Sequence, residues 1–132
     1  MTEPEIKITT MFFKGEKCYG PGIHALLLGV QEHHTLRGAA MAMHMAYSKA
    51  WRIVKECEQG LGFALIYSTV GGKHGGGAVL TREGEAMVKA YAQCCEKLNA
   101  YAKTLVPQLF ADLLRQDPAS KPGEIDHTKK PE

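Results

Sequence analysis

Between Ala46 and Leu61 the chain changes chemistry with the period of an α-helix. At 3.6 residues per turn, Ala50, Val54, Cys57 and Leu61 fall on one side, while Ser48, Arg52 and Lys55, edged by Lys49 and Glu56, fall on the other. A helix that is apolar behind and cationic in front has to be pinned to a core by its back, with its front left for solvent or a polyanion. The neighbouring residues supply that core. Gly20-Pro21-Gly22 opens a helix whose apolar set Ile23, Leu26, Leu27 and Val30 runs to about His33, and Thr35 is placed to cap a second, short helix with the inner stripe Leu36, Ala40 and Met43. A turn around His44 leads into the cationic helix, which Gly60 and Gly62 close.

Strands are expected on either side of this helical set. Residues 5–13 alternate, Ile6, Ile8, Thr10 and Phe12 against Lys7, Thr9, Met11 and Phe13, which predicts a strand returning through Lys14-Gly15-Glu16-Lys17 into Cys18-Tyr19. Leu65 to Thr69 and Ala78 to Leu80 predict a second hairpin, whose tip is the run Gly71-Gly72-Lys73-His74-Gly75-Gly76-Gly77. Thr81 caps a long helix in which Gly84, Met87, Tyr91, Cys94, Leu98, Tyr101 and Leu105 recur at alternating spacings of three and four, a seam for another helix. Pro107 is expected to interrupt it, leaving Leu109, Phe110, Leu113 and Leu114 for a short terminal helix. The polar residues 117–132 read as a disordered tail.

The fold class implied is α+β, mainly α. It is a winged helix-turn-helix over residues 1–80 with an N-terminal β-hairpin, followed over 81–116 by a dimerisation helix and a short terminal helix. Such a recognition helix needs short donors and long cations to reach base edges and phosphates in a groove about 12 Å wide. Ser48, Lys49 and Arg52 meet that need, with Tyr47 near the edge. Arg52 is the candidate for a bidentate contact with guanine, and Lys49 or Lys55 for phosphate. Thr35, at the start of the preceding helix, joins the set. At the wing, glycines permit close backbone approach, Lys73 brings charge and His74 a donor. The stripe Met87, Tyr91, Cys94, Leu98, Tyr101 and Leu105 is the candidate dimer contact.

Charge distribution points the same way. From His33 to Arg82 there are six basic residues against two acidic ones, a net +4 within a chain whose total is +2. Other classes lack support. The glycine run fails as a phosphate-cradling loop because His74, not Ser or Thr, follows Lys73 and a strand follows the run. The six histidines and four cysteines show no ligand spacing, so neither metal nor cofactor is expected. No nucleophile has a base at motif spacing, so no enzyme is expected. No apolar run is long enough for a bilayer, and a cytoplasmic location without membrane contact is expected.

The segments YGPGIHALL, AAMAMHMAYSKAW, VGGKHGGGAVLT and REGEAMV resemble the N-terminal DNA-binding domain of the ModE-type molybdate-responsive regulators, itself similar to the LysR-type winged helix. The resemblance runs from about Ile6 to Leu105. It implies that Tyr47, Ser48, Lys49 and Arg52 face the major groove of double-stranded DNA, that Lys73 is the wing's backbone contact, and that the helix from Thr81 forms a homodimer. It also implies that Trp51 is a core residue. The sequence departs from that pattern where His44 takes a left-handed glycine's place, and where Ala46 replaces a serine cap at a cost of about 1 kcal/mol. Nothing after Leu105 corresponds to the molybdate-binding domains, so no molybdate is expected. The expected function is sequence-specific transcriptional regulation by a homodimer. The alternative is a protein-interaction module that pairs with a longer homologous regulator.

Overall fold

The computed structural model describes residues 3–69 and 76–115. The elements run β1 (Phe12–Lys14), β2 (Glu16–Tyr19), α1 (Pro21–His33), α2 (Leu36–Ala42), α3 (Tyr47–Leu61), β3 (Ile66–Thr69), β4 (Gly77–Leu80) and α4 (Arg82–Leu114). This is the mainly helical α+β arrangement expected, with a hairpin before the three helices, a second hairpin after them and a long last helix.

Local chemistry sets the helix ends. Pro21 stands at the first position of α1, where its missing N–H costs nothing, and His34 closes the helix in a left-handed conformation, its N–H bonding Val30 O at 2.8 Å. Thr35 caps α2 by accepting the N–H of Gly38 at 2.8 Å. The end of α2 is a Schellman turn: His44 at φ 54° donates to Met41 O at 3.0 Å, and Met45 donates to Ala40 O at 2.9 Å. α3 stops at Gly62, which takes φ 90° and bonds Glu58 O. Thr81 caps α4 by accepting from Gly84 N, and its hydroxyl donates to Ala64 O at 2.6 Å.

Residues 8–98 make one compact unit. Its core is Cys18 and Tyr19 of β2, Ile23, Leu26, Leu27 and Val30 of α1, Leu36, Ala39 and Ala40 of α2, and Ala50, Val54 and Leu61 of α3, with Leu65, Ala78, Leu80, Val88 and Tyr91. Tyr19, Leu26, Leu27, Leu65 and Val54 are fully buried. Tyr91 stands edge-on to Tyr19 at 4.9 Å between centroids and donates its hydroxyl to Thr10 O, while the Tyr19 hydroxyl bonds His24 Nδ1 at 2.9 Å. Burial holds the His24 imidazole below its ordinary range and pushes both phenols up. The unit passes residue 80 because the first half of α4 brings Val88 and Tyr91 into this core.

Three expectations need correction. The strand predicted over 5–13 shrinks to Phe12–Lys14, since β2 offers only four residues to pair with, and residues 3–11 lie outside any strand. α4 is not interrupted at Pro107 but runs through it for 33 residues, about 50 Å. The proline removes one backbone hydrogen bond, and the helix formers on both sides carry the helix across the gap. Ile66, not Leu65, begins β3, since strand pairing starts with Ile66 opposite Leu80.

The described residues 3–7 and 99–115 are grouped in a second unit. Within its part of α4, Ala102 is buried, Leu105 and Val106 are half-buried, and Tyr101, Leu109 and Leu113 are exposed. The expected tail over 117–132 lies outside the described residues.

Candidate nucleic-acid interface

The back of α3 is held as its periodicity predicts. Ala50 and Val54 are fully buried, Leu61 is buried and Cys57 half-buried. Burial also pushes the Cys57 thiol up to about 11. Pinned in this way, the helix turns Ser48, Lys49 and Arg52 to solvent, with Tyr47 exposed beside them. Ala46 gives the first turn no side-chain cap, so its leading N–H groups face outward without a protein partner from that side chain.

The cations differ in their surroundings. Arg52 Nε lies 4.0 Å from Glu56 Oε1 with both side chains about two-thirds exposed, a pair too weak to hold the guanidinium. Lys55 is engaged more firmly. Its ammonium bonds Glu58 Oε1 at 3.2 Å and lies 5.6 Å from the centre of the Trp51 ring. Glu58 was not singled out by the sequence, where it reads as one more charge at a helix edge. Its other oxygen accepts the N–H groups of Leu65 at 2.7 Å and Ile66 at 3.3 Å, which locks the end of α3 to the start of β3.

Thr35 spends one lone pair on the cap of α2 and keeps its hydroxyl proton for another acceptor. Trp51 is not a core residue: it is 49% exposed and lines a cleft of about 540 Å³ between α2, α3 and the β3–β4 hairpin. The same cleft is lined by Thr35, Arg37, Tyr47, Lys55 and Tyr67. Two of these were missed as site residues in the sequence. Arg37 lies over the Tyr47 ring with its guanidinium carbon 4.5 Å from the centroid, and Tyr67, 57% exposed, stands on β3. Helical spacing relates residues of one helix and could not pair Arg37 of α2 with Tyr47 of α3.

The hairpin pairs Ile66 with Leu80, Tyr67 with Val79, Ser68 with Ala78 and Thr69 with Gly77. It is tied to the helices by Ala78 N, which donates to His34 O at 2.8 Å. Gly77 is required there, since a Cβ would come within 2.7 Å of that same carbonyl. Lys73 and His74, expected at the tip, lie outside the described residues.

Along α4 the apolar stripe divides. Gly84 and Tyr91 are buried within their own chain and Met87 is half-buried, whereas Cys94, Leu98 and Tyr101 are exposed and Leu105 is half-buried. Among the described residues no cluster of His, Cys, Asp or Glu is placed to hold a metal ion, and no helix is long and apolar enough to cross a membrane.

Comparison with known proteins agrees with this geometry. Residues 25–85 match the family described as bacterial regulatory helix-turn-helix protein, lysR family. The molybdenum-pterin-binding protein MopB of Rhodobacter capsulatus is 33% identical over 85 residues, which cover 61% of this chain and 32% of that protein. The chain therefore spans about a third of the relative's length.

Proposed function

We propose that the chain, whose residues 25–85 match the lysR-family helix-turn-helix, is a cytoplasmic transcriptional regulator that binds double-stranded DNA as a homodimer. The observation that carries this reading is the rigid outward face of α3, Ser48, Lys49 and Arg52, held by a buried back and flanked by a hairpin. Each subunit inserts α3 in a major groove. Arg52 swings from its weak pair with Glu56 to the O6 and N7 acceptors of a guanine, Ser48 and Tyr47 sit at neighbouring base edges, and Lys49 takes a phosphate. Thr35 donates its free hydroxyl proton to the backbone, Lys55 flanks it, and Lys73 and His74 reach it from the hairpin tip. The exposed Cys94, Leu98 and Tyr101 of the α4 stripe, with the half-buried Leu105, pair with their counterparts and separate the half-sites by about 34 Å or a multiple. Met87 and Tyr91 support that surface from beneath. The reading invokes no catalysis, cofactor or molybdate.

The test is differential. On a selected operator, Arg52→Ala is expected to lose about 1–3 kcal/mol and little on random duplex, whereas Lys73→Ala weakens both. Equal loss on all DNA from Arg52→Ala would contradict its role as a base reader.

A second reading is favoured by one observation, the exposed Leu98 and Tyr101 on α4. On that reading α4 pairs with the matching helix of a longer homologous regulator and removes it from its sites. It predicts helix-mediated pairing without affinity of this chain for DNA.

A further inference from the structure

The cation best prepared to grip an anion is not on α3. Among the described residues, Arg52 and Lys55 have acidic partners in Glu56 and Glu58; Lys49 and Arg37 have none, but of these two only Arg37 is held against an aromatic ring. Its guanidinium carbon lies 4.5 Å from the centre of the Tyr47 ring, and Arg37, exposed on α2, lines the cleft together with Trp51 and Tyr67. Attraction to an aromatic face narrows the conformations the guanidinium samples while its N–H donors remain available. A fork held in this way loses little side-chain entropy when it meets two oxygens of one phosphate. The walls are of the matching kind, since aromatic and apolar surfaces accept a sugar and the Thr35 hydroxyl offers a further donor in the same cleft.

We propose that Arg37, held over the Tyr47 ring, is the phosphate anchor for one strand of duplex DNA entering the cleft between α2, α3 and the β3–β4 hairpin. Tyr47 then acts as the platform for Arg37 more than as a reader of bases. This assignment rests on the DNA-binding reading above and sharpens it: the largest sequence-independent contribution comes from α2, and Lys55 contributes less because Glu58 already neutralises it.

The experiment follows binding of the full chain to a mixed-sequence duplex by fluorescence anisotropy across a salt series, with thermal melts to confirm folding. Arg37→Ala is expected to bind roughly tenfold more weakly at low salt. Its slope of log K against log salt should be shallower by about one per subunit, equally on every sequence. Arg37→Lys keeps the slope and loses part of the affinity, because an ammonium keeps the charge without the planar fork. Tyr47→Ala weakens binding, and the Arg37→Ala/Tyr47→Ala double variant is no weaker than Arg37→Ala alone. An unchanged slope in folded Arg37→Ala, or full additivity in the double variant, overturns the assignment while DNA binding stands. Absence of any salt-dependent binding by the unaltered chain removes the DNA-binding reading itself, and the anchor with it.

Discussion

Replacing Glu58 by alanine is expected to loosen the joint between α3 and the hairpin. Its carboxylate accepts two backbone N–H groups, from Leu65 at 2.7 Å and Ile66 at 3.3 Å, with its side chain only 12% exposed. A hydrogen bond to a charged group contributes about 1.5–3 kcal/mol, and the longer bond less than the shorter. Leu65 is fully buried, so without the carboxylate its N–H is left without a partner, which adds to the loss. The pair with Lys55 adds under about 1 kcal/mol because that side chain is nearly half exposed. Together these give about 2–4 kcal/mol for Glu58→Ala. Glu58→Gln keeps one acceptor oxygen for the amides and should cost about 1 kcal/mol. Urea denaturation followed by circular dichroism reads both. If Glu58→Ala lies within about 0.5 kcal/mol of the parent, like an ordinary surface change, the carboxylate does not hold the joint.

Three further outcomes follow from particular contacts. His44→Gly should stabilise the fold by about 0.5–1 kcal/mol, because His44 holds φ 54° in a conformation that glycine adopts freely; a loss of stability would mean that the imidazole itself is needed. Gly84→Ala should cost about 1–3 kcal/mol even though alanine favours helices, since its Cβ would collide with Leu65 O; a higher melting temperature would contradict the close approach. Burial holds the His24 imidazole below 6.5, so the unfolded chain binds the proton more readily. The contribution of His24 is complete above about pH 6.5 and is lost as pH falls below it, which denaturation midpoints between about pH 7.5 and 5 should record. His24→Asn should flatten that dependence, and an unchanged slope would exclude His24 as its source.

Periodicity and cap chemistry made much of this molecule legible beforehand. Val54 and Ala50 behind Arg52, Thr35 and Thr81 at helix starts, Gly62 at a helix end and the turn around His44 were all readable, because each depends on residues within a turn of one another. What escaped was settled elsewhere in the chain. Alternation over 5–13 signals half-burial, but strand formation there needed a partner longer than β2. The spacing of three and four along α4 is the same whether the neighbour is the chain's own β2 and α1, as for Tyr91, or another helix, as proposed for Leu98 and Tyr101. Trp51 was placed in the core by resemblance, yet it lines an open cleft between three elements. The contact of Arg37 with Tyr47 and the grip of Glu58 on Leu65 join separate elements, and no local pattern announces them.

On the reading proposed here, the outward cationic face built on α3 and completed from α2 grips a polyanion. That grip is tested most directly by titrating salt against binding of the unaltered chain to mixed-sequence duplex DNA, with its dimerisation checked by sedimentation. About three phosphate contacts per subunit, six in the dimer, predict a slope of log K against log salt near −5, with binding strong at low salt and lost at moderate salt. A chain that dimerises fully yet shows no affinity for duplex DNA at low salt would contradict the account and leave pairing through α4 in its place.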